Sequence, residues 1–228
     1  MLRRAFLSLP LLATAPPIPV GVIAHRAAHE HHPENSLEAV RAAIEMGVHW
    51  VELDVRTAPD GTLVLKHDAL TPDDKNLARF DDALDLLAAS KIVHLYLDWK
   101  SATPEAIAKT LQRHNMVGRA NVYASVEKLT ALKAIEPSAH VMPEAVSADH
   151  LHKVIATLHP FTIAFDRRDF KVPIIDIARQ AKLNIFVDCL GADDNKESWF
   201  NAIRLRATAI QTDKPSELQA LLGYTKRG

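Results

Sequence analysis

The sequence predicts an α/β protein folded as a compact (β/α)8 TIM barrel. Two observations support this fold class: short apolar runs rich in Val and Ile recur after residue 20, and amphipathic stretches separate them. A third is size, because eight alternating units in about 210 residues fit the lower end of the range for such barrels. An open doubly wound sheet is the alternative architecture.

The elements follow one another in a regular order along the chain. Strands are predicted at residues 20–25, 50–56, 93–99, 121–125, 140–145, 161–166, 184–189 and 208–212. Helices are predicted at residues 35–46, 81–90, 104–115, 127–136, 149–158, 173–182, 197–206 and 215–222. After the second strand, the turn residues Pro59-Asp60-Gly61 precede a second apolar run and predict a small β-hairpin insertion that ends at His67.

The N-terminus differs in character from the rest of the chain. Two arginines near Met1 are followed by an apolar run and by Ala13-Thr14-Ala15, the layout of a secretory signal with its processing site. Several prolines argue against a transmembrane helix here. We therefore expect residues 1–19 to be a signal peptide or flexible N-terminus and residues 20–228 to form one barrel domain, periplasmic or secreted and otherwise cytoplasmic.

Composition excludes several functional classes. Lys plus Arg number 27 against 28 Asp plus Glu, so no bulk field attracts nucleic acid. The seven glycines form neither a dinucleotide-binding fingerprint nor a P-loop. The single cysteine, Cys189, excludes an internal disulfide and a multi-cysteine zinc site.

Acidic residues gather at the carboxyl ends of two predicted strands, where barrel enzymes carry their reacting groups. Residues two apart in a strand share a face, so Glu52 and Asp54 point the same way, as do Asp98 and Lys100. Three converging carboxylates repel one another unless a cation compensates, and oxygen ligands favour Ca²⁺ or Mg²⁺. Ordinary salt bridges to Arg26, Lys100 or Arg56 are the alternative interpretation.

Two histidines complete the set of candidate residues. His25 ends the first strand and His67 ends the inserted hairpin. Imidazole can both take and give a proton near neutral pH, as cleavage of a phosphate ester requires. Arg26 and Lys100 would hold phosphate oxygens. The neighbouring His29, His31 and His32 are interpreted as a solvated loop. The strand-end acids Glu144, Asp166, Asp188 and Asp213 are interpreted as salt-bridge partners, with a contact to substrate as the alternative for any one of them.

With these residues in place, the sequence resembles the glycerophosphodiester phosphodiesterase family of the phospholipase C-like phosphodiesterase superfamily. The matching motifs are His25-Arg26, Pro33-Glu34-Asn35-Ser36, the run Glu52-Leu53-Asp54-Val55-Arg56-Thr57-Ala58-Pro59-Asp60-Gly61, and His67-Asp68. The similarity continues through Asp98-Trp99-Lys100 to Gln211-Thr212-Asp213-Lys214-Pro215 and covers about residues 20–222.

The resemblance implies metal-dependent hydrolysis of a small phosphodiester to glycerol 3-phosphate and an alcohol, in lipid and glycerol metabolism. It assigns acid–base catalysis to His25 and His67, and one divalent cation, Ca²⁺ or Mg²⁺, to Glu52, Asp54 and Asp98. It gives phosphate contacts to Arg26 and Lys100 and a supporting part to Glu34 and Asn35.

Three departures from the family pattern keep other functions open. Asp98 stands where the family usually has Glu, the segment between His67 and Asp98 is short, and Asp188-Cys189-Leu190 replaces an aromatic-containing strand end. The first alternative is a lysophospholipase D or sphingomyelinase D-like phosphodiesterase. The second is a barrel that binds phosphodiesters without turnover.

Overall fold

The computed structural model describes residues 19–224, and within that range it forms a barrel of eight parallel strands with eight α-helices outside. The strands are β1 (Gly21–Ala24), β2 (Trp50–Thr57), β3 (Leu63–Leu65), β4 (His94–Trp99), β5 (Ala120–Tyr123), β6 (His140–Met142), β7 (Thr162–Asp166), β8 (Asn184–Asp188) and β9 (Ala209–Thr212), of which β3 is the added one. The helices are α1 (Leu37–Met46), α2 (Phe80–Ser90), α3 (Pro104–Arg113), α4 (Val126–Ile135), α5 (Ala148–Leu158), α6 (Val172–Gln180), α7 (Lys196–Arg204) and α8 (Pro215–Leu222).

The strand order establishes a barrel rather than an open sheet. The sheet runs β6-β5-β4-β2-β1-β9-β8-β7, with parallel pairing between neighbours. Its two ends meet just after β6, where the Ala145 amide donates to the Ala164 carbonyl at 2.8 Å and the Ala164 amide donates to the Pro143 carbonyl at 3.0 Å. The predicted (β/α)8 barrel is therefore confirmed.

The inserted hairpin is also confirmed. Strand β3 pairs antiparallel with the end of β2, with Val55 opposite Leu65 and Thr57 opposite Leu63. Gly61 closes the turn with a positive φ of 87°, which glycine adopts without a steric penalty. The hairpin carries the chain back over the barrel mouth and delivers His67 there.

Alternation along the strands divides the apolar residues between two layers. Val51, Leu53 and Val55 of β2 are fully buried and belong to the layer between sheet and helices. Inside the barrel a smaller cluster is built around Tyr96 and Phe186, whose ring centroids lie 6.3 Å apart. This inner cluster fills the barrel below its C-terminal mouth.

The first helix begins later than predicted, and the difference shapes the site. Asn35 has a left-handed φ of 55° and is not helical. Ser36 is the N-cap, and its hydroxyl accepts a hydrogen bond from the Ala39 amide at 3.1 Å. The loop that follows β1 therefore ends at Asn35, whose side chain bonds Asp54 of β2.

The signal-peptide prediction lies, except for residue 19, outside the described residues. Between residues 19 and 224, no helix has both the length and the apolar character needed to cross a membrane.

Candidate active site

A polar cavity of about 450 Å³ opens at the C-terminal ends of the strands. Its walls come from strand ends on opposite sides of the barrel and from the loops that follow them. The lining residues are His25, Arg26, His29, Glu34, Asp54, His67, Tyr96, Asp98, Lys100, Tyr123, Asp188, Leu190, Gly191, Gln211 and Asp213. Both predicted catalytic histidines and both predicted phosphate-contacting cations thus face one cavity.

The three predicted metal ligands form a compact cluster at the base of this cavity. One carboxylate oxygen each from Glu52, Asp54 and Asp98 lies within 4.8 Å of the others. Glu52 is 2% exposed and Asp54 is 1% exposed. Burial, followed by the charges of Asp54 and Asp98, raises the pKa of Glu52 well above its usual value. The pKa of Asp98 is also raised, chiefly by burial.

Backbone and amide donors fix the orientation of these carboxylates. The Arg26 amide donates to Glu52 Oε2 at 2.6 Å. Asn35 donates through Nδ2 to Asp54 Oδ2 at 2.8 Å and accepts from the Asp54 amide through Oδ1 at 3.1 Å. Asn35 is itself buried, so the loop after β1 and strand β2 are joined at the acid cluster. The supporting part expected of Asn35 in the reaction stays a prediction.

Lys100 contributes the nearest cation to the cluster. Its Nζ lies 2.7 Å from Asp98 Oδ2 and 3.1 Å from Asp54 Oδ1. Burial on its own lowers the pKa of Lys100, but the hydrogen bond and charge of Asp98, with Asp54, raise it overall. The salt-bridge interpretation therefore holds for two of the acids, while Lys100 supplies one positive charge against three carboxylates.

The residues present fit a hard divalent cation. All three side chains offer oxygen, the donor type that Ca²⁺ and Mg²⁺ prefer, and their spacing lets one ion contact each of them. Burial first, and then the neighbouring carboxylates, favour the protonated form of Glu52 while no further cation is present. A bound cation would hold Glu52 and Asp98 ionised.

His25 is held by a residue from the far end of the chain. Its Nδ1 lies 2.6 Å from Asp213 Oδ1, and its Nε2 lies 4.0 Å from Glu52 Oε2. The hydrogen bond with His25 lowers the pKa of Asp213, so this carboxylate is ionised and accepts from Nδ1–H. Nε2 is then the nitrogen free to accept a proton on the cavity side.

His67 reaches the cavity from the hairpin. Its side chain is 40% exposed, and its Nδ1 lies 2.9 Å from Asp68 Oδ1. The Arg56 guanidinium donates to the His67 carbonyl at 2.6 Å and 3.1 Å, which anchors the backbone at this point. Each histidine therefore carries a carboxylate on Nδ1, but His25 is the more enclosed of the two.

Arg26 lines the cavity and contacts two acids. Its Nη1 donates to Glu34 Oε2 at 2.7 Å, and its Nε lies 3.6 Å from Asp54 Oδ2. The Arg26 backbone has a left-handed φ of 47°, unusual for a residue other than glycine. This conformation lets the backbone amide bind Glu52 while the side chain lines the cavity.

Several site residues were not identified from the sequence. His29 lines the cavity and bonds the His25 carbonyl through Nδ1 at 2.8 Å, so the solvated-loop interpretation is wrong for it, although His31 and His32 are exposed. The salt-bridge expectation is right for Asp166, which binds Arg168, whereas Asp188 faces the cavity. The further lining residues missed were Tyr96, Tyr123, Leu190, Gly191 and Gln211.

Comparison with known proteins points to one family. A sequence model described as the Glycerophosphoryl diester phosphodiesterase family matches residues 25–85, which include both histidines and two of the three clustered acids. The resemblance to the glycerophosphodiester phosphodiesterase family is confirmed.

Among curated relatives, a glycerophosphodiester phosphodiesterase of Caldanaerobacter subterraneus is 47% identical over 47 residues, 21% of this chain and 19% of the relative. Glycerophosphodiester phosphodiesterase 1 of Rattus norvegicus is 47% identical over 49 residues, 22% of this chain and 15% of the relative.

These curated matches thus span less than a fifth of each relative's length, whereas solved structures match nearly the whole chain in fold. A glycerophosphodiester phosphodiesterase from Agrobacterium tumefaciens gives a TM-score of 0.77 at 23% identity, covering 88% of this chain and 99% of that one. An Oleispira antarctica phosphodiesterase, solved in complex with sn-glycerol-3-phosphate, gives 0.78 at 17% identity, covering 90% and 97%. These similarities establish that the family's barrel fold is shared.

Proposed function

We propose that this protein hydrolyses glycerophosphodiesters to glycerol 3-phosphate and an alcohol. One observation carries the proposal: His25, His67, Lys100 and Arg26 face the same cavity as a cluster of three carboxylates, within and just beyond the segment that matches the family. Acid–base groups, cations for phosphate oxygens and a site for a hard metal ion are together what phosphodiester cleavage requires.

His25 and His67 divide the two proton transfers. His25 Nε2 takes the proton from the attacking hydroxyl, and the Asp213 carboxylate at Nδ1 stabilises the imidazolium that forms. His67, at the more open side of the cavity, gives a proton to the oxygen of the departing alcohol. The attacking hydroxyl belongs either to water or to the substrate's own glycerol, in which case a cyclic phosphate forms first.

The cations of the chain hold the phosphate. Lys100 and Arg26 donate to its nonbridging oxygens and stabilise the charge that builds up on them. Glu52, Asp54 and Asp98 would hold one divalent cation, Ca²⁺ or Mg²⁺. When bound, that ion neutralises the acid cluster and stabilises negative charge on the phosphate. Asn35 and the Arg26 amide keep Asp54 and Glu52 in place.

The test is release of glycerol 3-phosphate from a panel of purified diesters: glycerophosphocholine, glycerophosphoethanolamine and glycerophosphoglycerol, each with Ca²⁺ or Mg²⁺. Lysophosphatidylcholine and sphingomyelin run beside them, because Asp98 in place of the family's usual Glu favours a lipid phosphodiesterase as second candidate. ³¹P NMR separates direct hydrolysis from a cyclic intermediate. Cleavage of lipids alone would select the second candidate, and binding without turnover would select a non-catalytic barrel.

We further propose that the protein is exported, on the basis of the signal-like order of residues 1–19. Cell fractionation and N-terminal sequencing test this. A mature protein that begins after Ala15 supports export, and an intact Met1 on cytosolic protein contradicts it.

A further inference from the structure

One wall of the cavity contains polar atoms that lack hydrogen-bond partners. Gln211 of β9 is 5% exposed and lines the cavity, and no group in residues 19–224 bonds its Oε1. Asp188 of β8 lies opposite Gln211 in the strand register, and its buried Oδ1 likewise has no partner in the described part of the chain. Two adjacent buried acceptors without donors are costly unless a ligand supplies the donors.

The surroundings of these two acceptors are negative and aromatic. Tyr96 and Tyr123 line the same cavity, and Tyr123 donates its hydroxyl proton to Glu144 Oε2 at 3.2 Å. Burial, followed by the charges of Asp166, Glu144 and Asp98, raises the pKa of Asp188 to about 8. A ligand group that enters here is therefore bound more tightly if it carries a positive charge and N–H groups of its own.

The cations of the cavity lie elsewhere. Lys100 follows β4, which is separated from β8 by three strands on one side and three on the other, and Arg26 follows β1. Among the lining residues contributed by β8, β9 and the loops after them, none is Lys or Arg. The cavity thus offers two cations to a phosphate beside the acid cluster, whereas the wall from β8 and β9 offers acceptors and no lining cation. A zwitterionic diester matches both of these features.

We propose that Asp188 and Gln211 form a subsite for the primary ammonium group of the alcohol part of the substrate. The preferred substrates are then glycerophosphodiesters of primary amino alcohols. A primary ammonium can donate separate N–H groups to Asp188 Oδ1 and Gln211 Oε1 and also neutralises the carboxylate. A quaternary ammonium has no N–H to donate, and a neutral polyol brings no charge. This inference rests on the proposed function of the same cavity.

The test begins with the unaltered protein and so requires no folding of a variant. With the divalent cation at saturation, kcat/KM is measured for glycerophosphoethanolamine, glycerophosphocholine and glycerophosphoglycerol. We expect the ethanolamine ester to exceed both others by about tenfold or more, the effect of one hydrogen-bonded charge pair. Equal kcat/KM for the three esters would overturn the subsite. Failure of all three esters to release glycerol 3-phosphate would instead overturn the proposed function.

Asp188→Asn then locates the preference. We expect about a ten- to hundredfold loss of kcat/KM on the ethanolamine ester, expressed mainly in KM, and a much smaller loss on the glycerol ester. Gln211→Leu should lower the same preference less, because it removes a neutral acceptor. The matched control is Asp166→Asn, at the register position beside Asp188 but bonded to Arg168 through both carboxylate oxygens. A parallel loss on all esters in Asp188→Asn, or loss of preference in the control, contradicts the assignment.

Discussion

The two halves of the barrel contribute differently to the cavity. Strands β1 to β4, at residues 21–99, and the loops after them carry both proposed catalytic histidines and all three clustered acids, and the family's sequence match at residues 25–85 lies within this half. Strands β5 to β9, at residues 120–212, share the fold of solved family structures at low overall identity. The comparison places the proposed reaction chemistry in one contiguous half, while the other half completes the barrel and contributes the proposed ammonium subsite.

The halves are nevertheless joined at the site. Strand β1 lies between β2 and β9, so the end of the second half stands directly beside the first histidine. Asp213, one residue after β9, bonds His25 at 2.6 Å. The second half therefore also holds the His25 ring of the first half. Substitutions in each half test whether the two halves differ in function.

Removal of the divalent cation should have the largest effect. A chelator followed by gel filtration is expected to lower kcat/KM on glycerophosphoethanolamine by about 10³- to 10⁴-fold, because several kcal/mol of charge stabilisation is lost. Readdition of Mg²⁺ or Ca²⁺ should restore the activity. If the metal-free protein retains full activity, the three carboxylates of the first half have a structural role only.

Removal of either histidine should have the next largest effect. His25→Ala and His67→Ala are each expected to lower kcat by about 10²- to 10⁴-fold, the range for a lost acid–base group. His31→Ala, an exposed histidine of the same loop as His25, is the control and should retain wild-type kcat. Near-normal turnover in either of the first two variants would show that the substituted histidine is not the acid or base of the reaction.

Asp213 tests the contribution of the second half to chemistry. Asp213→Asn leaves the side chain its size but removes the charge that stabilises His25, so kcat should fall by about 10- to 100-fold with little change in KM. Asp193→Asn, an exposed acid nearby, is the control. A rise in KM without a fall in kcat would instead show that Asp213 contacts the substrate and does not orient His25.

The sequence predicts the barrel and the acid cluster because both follow from local periodicity. Eight apolar runs give eight strands, and residues two apart on β2 place Glu52 and Asp54 on one face. The same parity rule, extended two residues back from Asp98 and from Asp213, would have placed Tyr96 and Gln211 in the cavity as well.

Other contacts depend on the closed barrel and could not be derived locally. The bond between His25 and Asp213 joins residues 188 positions apart, through the β1–β9 pairing. The left-handed φ of Asn35 delays the start of α1, and helical periodicity does not indicate such a conformation in the residue before an N-cap. An acceptor without a partner, such as Gln211 Oε1, is visible only when every neighbour has a position.

Asp194 tests whether the second half also has its own structural requirement. This buried carboxylate accepts from Thr212 Oγ1 at 2.6 Å, from Trp199 Nε1 at 3.0 Å and from the Asp213 amide at 2.8 Å. Asp194→Ala leaves buried donors unsatisfied and should lower the free energy of unfolding by about 2–4 kcal/mol in chemical denaturation. The adjacent exposed Asp193→Ala should change it by less than about 0.5 kcal/mol. Equal effects in the two variants would show that the hydrogen bonds of Asp194 do not stabilise the end of β9.

The smallest expected effect concerns the pH dependence of stability at Asp188. Its pKa is about 8 in the folded protein against 3.8 for the unperturbed group, so the folded state binds more protons in between, and the Asp188 contribution to stability falls as pH rises from about 4 to 8. Asp188→Asn cannot lose a proton. In the presence of a chelator, its Tm relative to wild type should therefore increase by several degrees between about pH 5.5 and pH 8.5.

Asp166→Asn supplies the opposite case on the neighbouring strand. The hydrogen bond from Arg168 lowers the pKa of Asp166, so its contribution is fully present above the unfolded value near 3.8 and stays constant over the same pH interval. The difference in Tm between Asp166→Asn and wild type should then be the same at both pH values. A pH-independent difference for Asp188→Asn as well would show that Asp188 is ionised throughout this pH range. Asp188 would then have a donor inside the chain, and the cavity wall from the second half would hold no carboxyl group with a raised pKa.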